Sequence, residues 1–335
     1  MNVQSDKSSV RPVRFAGTGS AVPDPVLTNA DLEKIVDTSD EWIVTRTGIR
    51  ERRIAPEGLV TSDLALPAAK TAMEEAGVGA EDLDGIICAT VTPDQVFPSM
   101  GCTLQSKLGA KRAFAFDVSA ACSGFLYSLS VAQGMIASWR ANTVLVVGAE
   151  LLSRVTNWSD RTTCILLADG AGAAILQPGD EEHGILSLTL GADGNFGSLI
   201  EQPAGGSKLP ASEETVRNHL HCIHMRGNEV FKMGVRTMAD ECVKALGLAG
   251  YGAQDVDLLV THQANLRIIE ATAKRLGISP EKVFTNIQKY GNTSAASIPI
   301  ALDEARKAGR LHSGDLVALV GFGGGLTWGA AVVRW

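Results

Sequence analysis

Nowhere does this chain contain about 18 consecutive apolar residues, so a membrane-spanning helix is not expected. It also lacks a lysine or arginine run, and its formal net charge is only −7. Without a concentrated basic surface, neither nucleic acid nor a membrane is expected as principal partner. The six cysteines, Cys88, Cys102, Cys122, Cys164, Cys222 and Cys242, include no Cys-x-x-Cys pair and no short-spaced framework. That pattern fits free thiols in a reducing, cytoplasmic setting. Met1 to Pro12 is polar and has no apolar segment of the signal-peptide kind, so it reads as a short disordered lead. The glycines at 321–325 lack both the Gly-Lys-Ser/Thr ending of a P-loop and the dinucleotide-binding spacing, so they read as sites of close backbone approach. His219, His221, Cys222 and His224 form the one cluster with metal-ligand chemistry. They alternate as along a strand and lack metal-site spacing, so they read as surface and pocket-flanking residues, with no metal expected.

What the sequence does contain is a repeat. At 335 residues and 45% hydrophobic content it is long enough for two cores. The segment Gly79-Ala80-Glu81-Asp82-Leu83-Asp84-Gly85-Ile86-Ile87-Cys88 has a counterpart in Gly252-Ala253-Gln254-Asp255-Val256-Asp257-Leu258-Leu259-Val260-Thr261. Helical stretches ending at Gly109 and Gly277 correspond, as do Val144–Gly148 with Val317–Gly321 and Gly172–Leu176 with Gly329–Val333. Paired segments kept in order predict two copies of one α/β unit, residues 1–180 and 181–335, joined near Gln177 to Glu182. Near-continuous apolar strands in each copy predict strands buried on both faces. Residues from about Asn195 to Thr215 read as an inserted excursion, and the arginine-rich stretch Asp40 to Pro56 as a functional loop.

Three residues carry the chemistry. Cys122 lies in Asp117-Val118-Ser119-Ala120-Ala121-Cys122-Ser123-Gly124-Phe125, where the short buried strand from Ala113 to Val118 gives way to a helix. A helix N-terminus favours the thiolate. His262 ends the strand Leu258 to Thr261, and Asn292 lies in Lys289-Tyr290-Gly291-Asn292-Thr293-Ser294. In a duplicated fold, equivalent strand ends approach each other, and a Cys, His, Asn set can act as nucleophile, proton handler and neutral hydrogen-bond donor. A buried core cysteine, a papain-like hydrolase and a coenzyme A-binding protein with a dead site are the competing readings.

The motifs Ala121-Cys122-Ser123-Gly124, Thr261-His262-Gln263-Ala264-Asn265 and Gly291-Asn292-Thr293-Ser294, with Gly321-Phe322-Gly323-Gly324-Gly325-Leu326-Thr327-Trp328-Gly329, resemble those of β-ketoacyl-acyl carrier protein synthase III. The resemblance runs from about Val13 to Trp335 and includes the stretch Asp37 to Arg50. It implies a thiolase-like duplicated fold with five αβαβα layers. It also implies an acyltransferase that condenses a short acyl-coenzyme A, usually acetyl, with malonyl-acyl carrier protein to initiate fatty acid biosynthesis. A relative serving secondary metabolism with the same triad is the alternative. By the same resemblance Cys122, His262 and Asn292 are catalytic, and the N–H groups of Cys122 and Gly324 form an oxyanion hole. Trp42 and Arg161 sandwich the coenzyme A adenine with Thr38 nearby, Gly227 and Asn265 contact the pantetheine arm, and Phe97 crosses a homodimer interface to close the partner's acyl pocket. Lys232, Arg267, Lys274 and Arg275 would supply a basic rim for the acidic carrier protein. Coenzyme A thioester is then a substrate, and no cofactor is implied.

Overall fold

A computed structural model describes residues 11–180 and 183–335. Residues 1–10 of the expected polar lead, and Glu181 and Glu182 of the expected join, lie outside the described residues. The frame is two five-stranded sheets. The first holds β1 (Val13–Ala21), β2 (Gly85–Ala89), β3 (Phe114–Val118), β4 (Val144–Leu151) and β5 (Asp169–Pro178). The second holds β6 (Gly184–Ala192), β7 (Leu258–Thr261), β8 (Val283–Phe284), β9 (Leu316–Gly323) and β10 (Thr327–Arg334).

The strand orders, β1-β5-β4-β2-β3 and β6-β10-β9-β7-β8, are the same order in each half. Strand senses match as well: β2 pairs parallel with β3 and β4, as β7 does with β8 and β9, and the remaining pairs are antiparallel. Helices repeat in the same way. The first half carries α1 (Thr61–Ala76), α2 (Met100–Leu108) and α3 (Gly124–Ala137); the second carries α4 (Gly227–Leu248), α5 (Leu266–Leu276) and α6 (Ser297–Lys307).

Apolar side chains sort these helices into layers. From α3, Phe125, Leu126 and Leu129 share one cluster with Ile298 and Leu302 of α6 and with inward-facing residues of both sheets, so these two helices fill the space between the sheets. Leu64, Ala68 and Ala72 of α1 cover the outer face of the first sheet, and Met238, Cys242 and Leu246 of α4 cover that of the second. The result is the αβαβα stack. With helices on both faces, β2, β4, β7 and β9 are buried along their whole length, which is why they read as continuous apolar runs. Each large aliphatic or phenyl side chain buried this way stabilises the fold by about 1.5–3 kcal/mol.

Four local expectations need correction. The strand before Cys122 is Phe114–Val118, and it is half-buried because β3 lies at the sheet edge. The stretch read as a loop from Asp40 is a helix, Asp40–Thr47, capped by the Ser39 hydroxyl and closed by left-handed Gly48; the strand Glu51–Arg53 follows. His219, His221 and Cys222 lie in turns, with only His224–Met225 in a strand, so the alternation there was no strand periodicity. Asn292 does not end a strand; it follows the one-turn helix Ile287–Tyr290 and bridges to Leu167. Among the described residues, no helix is long and apolar enough to cross a membrane.

The segment bearing Asn292 is pressed onto the first sheet at Gly148, where a Cβ would overlap the Ala295 carbonyl oxygen. Only glycine permits this approach, and it sets Ser294–Ala296 against β4.

Candidate active site

Cys122 stands four residues past the end of β3, in a 3-10 turn, Ala121–Ser123, that opens into α3. Two bonds fasten this turn to the other half of the chain: Ser123 Oγ donates to the Thr327 carbonyl at 3.0 Å, and Thr327 Oγ1 donates to the Ala120 carbonyl at 2.9 Å. A Cβ on Gly323 would come within 2.6 Å of the Cys122 nitrogen, so β9 delivers its glycine backbone directly against the nucleophile's amide. Burial pushes the thiol itself up to about 11. That corrects the expectation of a helix-stabilised thiolate. Desolvation of this half-buried sulfur favours the thiol.

Cys88, Cys164, Cys222 and Cys242 are buried. Cys102 is exposed on α2, with its sulfur 3.7 Å from the Ala115 carbonyl.

His262 follows β7 directly and is almost completely buried. Its Nδ1 lies 2.7 Å from Ser297 Oγ, and the same oxygen accepts the Gln263 N–H at 3.3 Å. The Gln263 N–H occupies one of the two serine lone pairs, and a serine proton donated to Nδ1 leaves the ring's own proton on Nε2. Burial pulls the imidazole down to about 3, so it is neutral near pH 7. Asn292 is oriented as firmly. Its Oδ1 accepts the Ser294 N–H at 2.9 Å, which leaves the Nδ2 amino group as the free donor.

One cavity of about 570 Å³ is lined by Cys122, His262 and Asn292 together. Trp42, Gly227, Lys232, Asn265 and Arg267 also line it, so residues from both halves share a single chamber. Among the described residues, Thr38, Arg161, Phe97, Gly324, Lys274 and Arg275 do not line it. Gly324 occupies the turn between β9 and β10, next to Gly323. Arg161 lies at the mouth, 5.0 Å from the Trp42 ring centre, while Arg46 covers that ring at 4.5 Å. Thr38 is close in sequence to Trp42, and its buried Oγ1 has no hydrogen-bond partner among the described residues. Asn265 caps α5 by accepting the Arg267 N–H and donates to the Arg46 carbonyl, so its amide is already engaged by protein. Arg267 lies over Phe231, Arg275 pairs with Asp240 at 3.1 Å, and Lys274 is exposed on the last turn of α5. Phe97 is 84% exposed and so is no part of this chain's own core.

Sequence reasoning missed Arg46, Gly323, Ser297 and Glu150. A lone acid at the end of the apolar strand Val144–Leu151 was the available signal for Glu150. For Ser297 there was none, since its importance comes from a contact 35 residues away in sequence.

Comparisons with known proteins agree on one family. Residues 116–194 match the family described as 3-oxoacyl-[acyl-carrier-protein] synthase III, and residues 246–335 match its C-terminal part. The β-ketoacyl-[acyl-carrier-protein] synthase III of Desulfitobacterium hafniense is 56% identical over 96% of this chain and 98% of its own length. That of Symbiobacterium thermophilum is 56% identical over 97% and 99%. The crystal structure of 3-oxoacyl-[acyl-carrier-protein] synthase III from Aquifex aeolicus superposes with a TM-score of 0.89 at 50% identity, covering 96% of this chain and all of that one. With its duplicated sheets and its cysteine, histidine and asparagine around one cavity, the chain belongs to the β-ketoacyl-acyl carrier protein synthase III family of thiolase-fold condensing enzymes.

Proposed function

We propose that this acyltransferase condenses a short acyl-coenzyme A, acetyl first among them, with malonyl-acyl carrier protein, and that Cys122, His262 and Asn292 carry the two half-reactions. The observation that supports it most is the convergence of His262 and Asn292, two neutral hydrogen-bonding side chains, on the same cavity as Cys122. Cys122 attacks the acyl thioester, and the oxyanion that forms is met by the N–H groups of Cys122 and Gly324. Coenzyme A leaves. Malonyl thioester then binds with its carbonyl oxygen between His262 and Asn292, which stabilise the enolate produced when carbon dioxide departs. Two uncharged donors suit this step, because an acidic imidazolium beside the carbanion would quench it by proton transfer. The enolate carbon attacks the acyl-enzyme, giving 3-ketoacyl-acyl carrier protein and restoring Cys122.

In this scheme residues 1–180 supply the nucleophile and residues 181–335 the donor pair. The cavity mouth takes coenzyme A. A purine between Trp42 and Arg161 needs two stacking gaps of about 3.5–4 Å, so Arg161 must swing outward from its present 5.0 Å. Its guanidinium is held by the Asp37 carbonyl at 2.7 Å, an exposed bond that can be exchanged for solvent. Gly227 and Asn265 flank the pantetheine path by backbone approach, with Thr38 near the adenine end. Lys232 and Arg267, exposed at the cavity, form the nearer part of the carrier-protein rim, and Lys274 and Arg275 its outer part. The thioester is a substrate, and the reaction needs no cofactor. The six free cysteines suit the reducing cytoplasm. Relatives at 56% identity are synthase III enzymes, which favours fatty acid initiation over a role in secondary metabolism.

Radiolabelled acetyl-coenzyme A tests this reading. Label is expected on Cys122, stable until malonyl-acyl carrier protein chases it off, and absent from Cys122→Ala but not from Cys88→Ala or Cys242→Ala. Label on Cys122→Ala at the wild-type level would sink it.

A further inference from the structure

We propose that the buried Arg52 is a positioning residue for Asn292, holding residues 165–168, the segment on which the Asn292 backbone hangs. This inference rests on the condensing function proposed above and concerns its malonyl half-reaction.

Arg52 lies in the strand Glu51–Arg53 and is completely buried. Its Nη1 donates to the Leu27 carbonyl at 3.1 Å and to Asn29 Oδ1 at 2.9 Å, and its Nη2 donates to the Ile165 carbonyl at 2.8 Å. Among the described residues these three acceptors are all neutral, and Nε has no hydrogen-bond partner. Burial pulls the guanidinium down to about 10, so it is still a cation near pH 7.

A buried cation without a carboxylate is costly, and a methionine or leucine would fill such a position without that cost. What an apolar side chain lacks is the planar fork, which fixes donors in two directions at once. One branch grips Leu27 and Asn29. The other grips Ile165, the residue that ends the short helix Arg161–Cys164.

Ile165 stands at the head of the segment that holds Asn292. Residues 165–168 lie outside the sheet, between that helix and β5. The Asn292 N–H donates to the Leu166 carbonyl at 2.8 Å, and the Asn292 carbonyl accepts the Ala168 N–H at 3.0 Å. Gly291 packs beside the same residues. Its φ is +62°, and a Cβ there would come within 3.3 Å of the Arg52 Cβ and 2.9 Å of the Leu166 oxygen. Among the described residues, Ile165, Leu166 and Asn292 line the cavity and Arg52 does not, so Arg52 reaches the malonyl thioester only through them. Cys122 is fastened elsewhere, by Thr327 and the close approach of Gly323. A displaced Asn292 therefore loses its hold on the developing enolate while attack by Cys122 is left intact.

The test is a double-mutant cycle on decarboxylation of malonyl-acyl carrier protein, with Arg52→Lys placed in the wild type and in Asn292→Ala. Cys122 acylation at saturating acetyl-coenzyme A is measured beside it. Lysine keeps the charge and loses the fork. Decarboxylation should fall about tenfold in Arg52→Lys while acylation stays within about twofold. In Asn292→Ala, adding Arg52→Lys should cost less than about twofold more, because the side chain it positions is gone. A merely structural role would cost the same in both backgrounds. Should Arg52→Lys not fold, Asn29→Ala takes its place in the cycle. It removes one acceptor of the fork, and a loss of about threefold is expected that again vanishes in Asn292→Ala. Equal loss in both backgrounds, parallel loss in the two half-reactions, or a wild-type decarboxylation rate overturns the assignment. A wild type that neither decarboxylates malonyl-acyl carrier protein nor takes the acetyl label would instead overturn the condensing function.

Discussion

Ser297 Oγ, 2.7 Å from His262 Nδ1, decides which nitrogen of the buried imidazole faces the substrate with a proton. With the serine proton donated to Nδ1, Nε2 is the donor, while the Gln263 N–H takes one of the two lone pairs of the same oxygen. Ser297→Ala frees the tautomer to invert. Malonyl decarboxylation should fall about tenfold while acylation from coenzyme A changes much less, a selective loss that His262→Ala and Asn292→Ala should show more strongly. Rates of the two half-reactions, measured separately, check this; parallel loss in both would count against it.

The same imidazole predicts a pH dependence of stability. Its folded-state value of about 3 lies below the ordinary 6.5, so between these the unfolded chain binds more protons than the folded one. The stabilisation is therefore complete above about pH 6.5 and is lost as pH falls toward 3. Between pH 7 and 5 the loss should amount to about 2 kcal/mol. His262→Gln, which has no titrating group, should show a correspondingly flatter profile of urea midpoints. Glu150, raised toward 7, acts in the opposite sense over an overlapping range, but it is common to both proteins and cancels in the comparison.

How far the sequence could lead is clear from particular residues. Val144–Gly148 and Val317–Gly321 were recognisable as equivalents because strands buried on both faces must be apolar throughout. Cys122 was recognisable because small residues at a strand-to-helix turn make room for a reactive sulfur. Its protonation state was not legible, since the desolvation that sets it comes from the fold around the cavity. Nor was the close approach at Gly148, which seats the segment after Asn292 against β4. The helix Asp40–Thr47 was misread because Asp40, Glu41, Trp42 and Arg46 leave little apolar periodicity, although the Ser39 cap and the closing Gly48 were both present.

Gly323 offers a sharper test of the oxyanion site than Gly324. A methyl group at 323 would press within 2.6 Å of the Cys122 nitrogen and 3.1 Å of its Cβ, so the turn bearing the nucleophile must move. Displacing it weakens the N–H that receives the thioester oxyanion. Gly323→Ala should cost about 10²-fold or more in acylation, in line with the loss of one oxyanion donor. At Gly324 the nearest atoms belong to Ile200, at 3.2 Å and beyond, so Gly324→Ala should be the milder change. Acyl-enzyme formation rates for the two variants decide the order, and a wild-type rate in Gly323→Ala would refute the contact's importance.

Phe97 and Val96 stand 84% and 89% exposed, an apolar pair that a single chain leaves in water. Burying a phenyl ring is worth about 1.5–3 kcal/mol, so a twofold dimer in which each Phe97 enters its partner's acyl pocket gains that stabilisation twice. Phe97→Ala should then weaken dimerisation while leaving the fold of one chain intact, since the ring touches little of its own core. It should also lengthen the acyl pocket and raise the relative rate with longer primers. Sedimentation at several concentrations and a panel of straight and branched acyl-coenzyme A primers measure the two effects. A fully active monomer, or a Phe97→Ala enzyme with the wild-type primer profile, would remove Phe97 from the acyl pocket and leave the exposed pair to another partner.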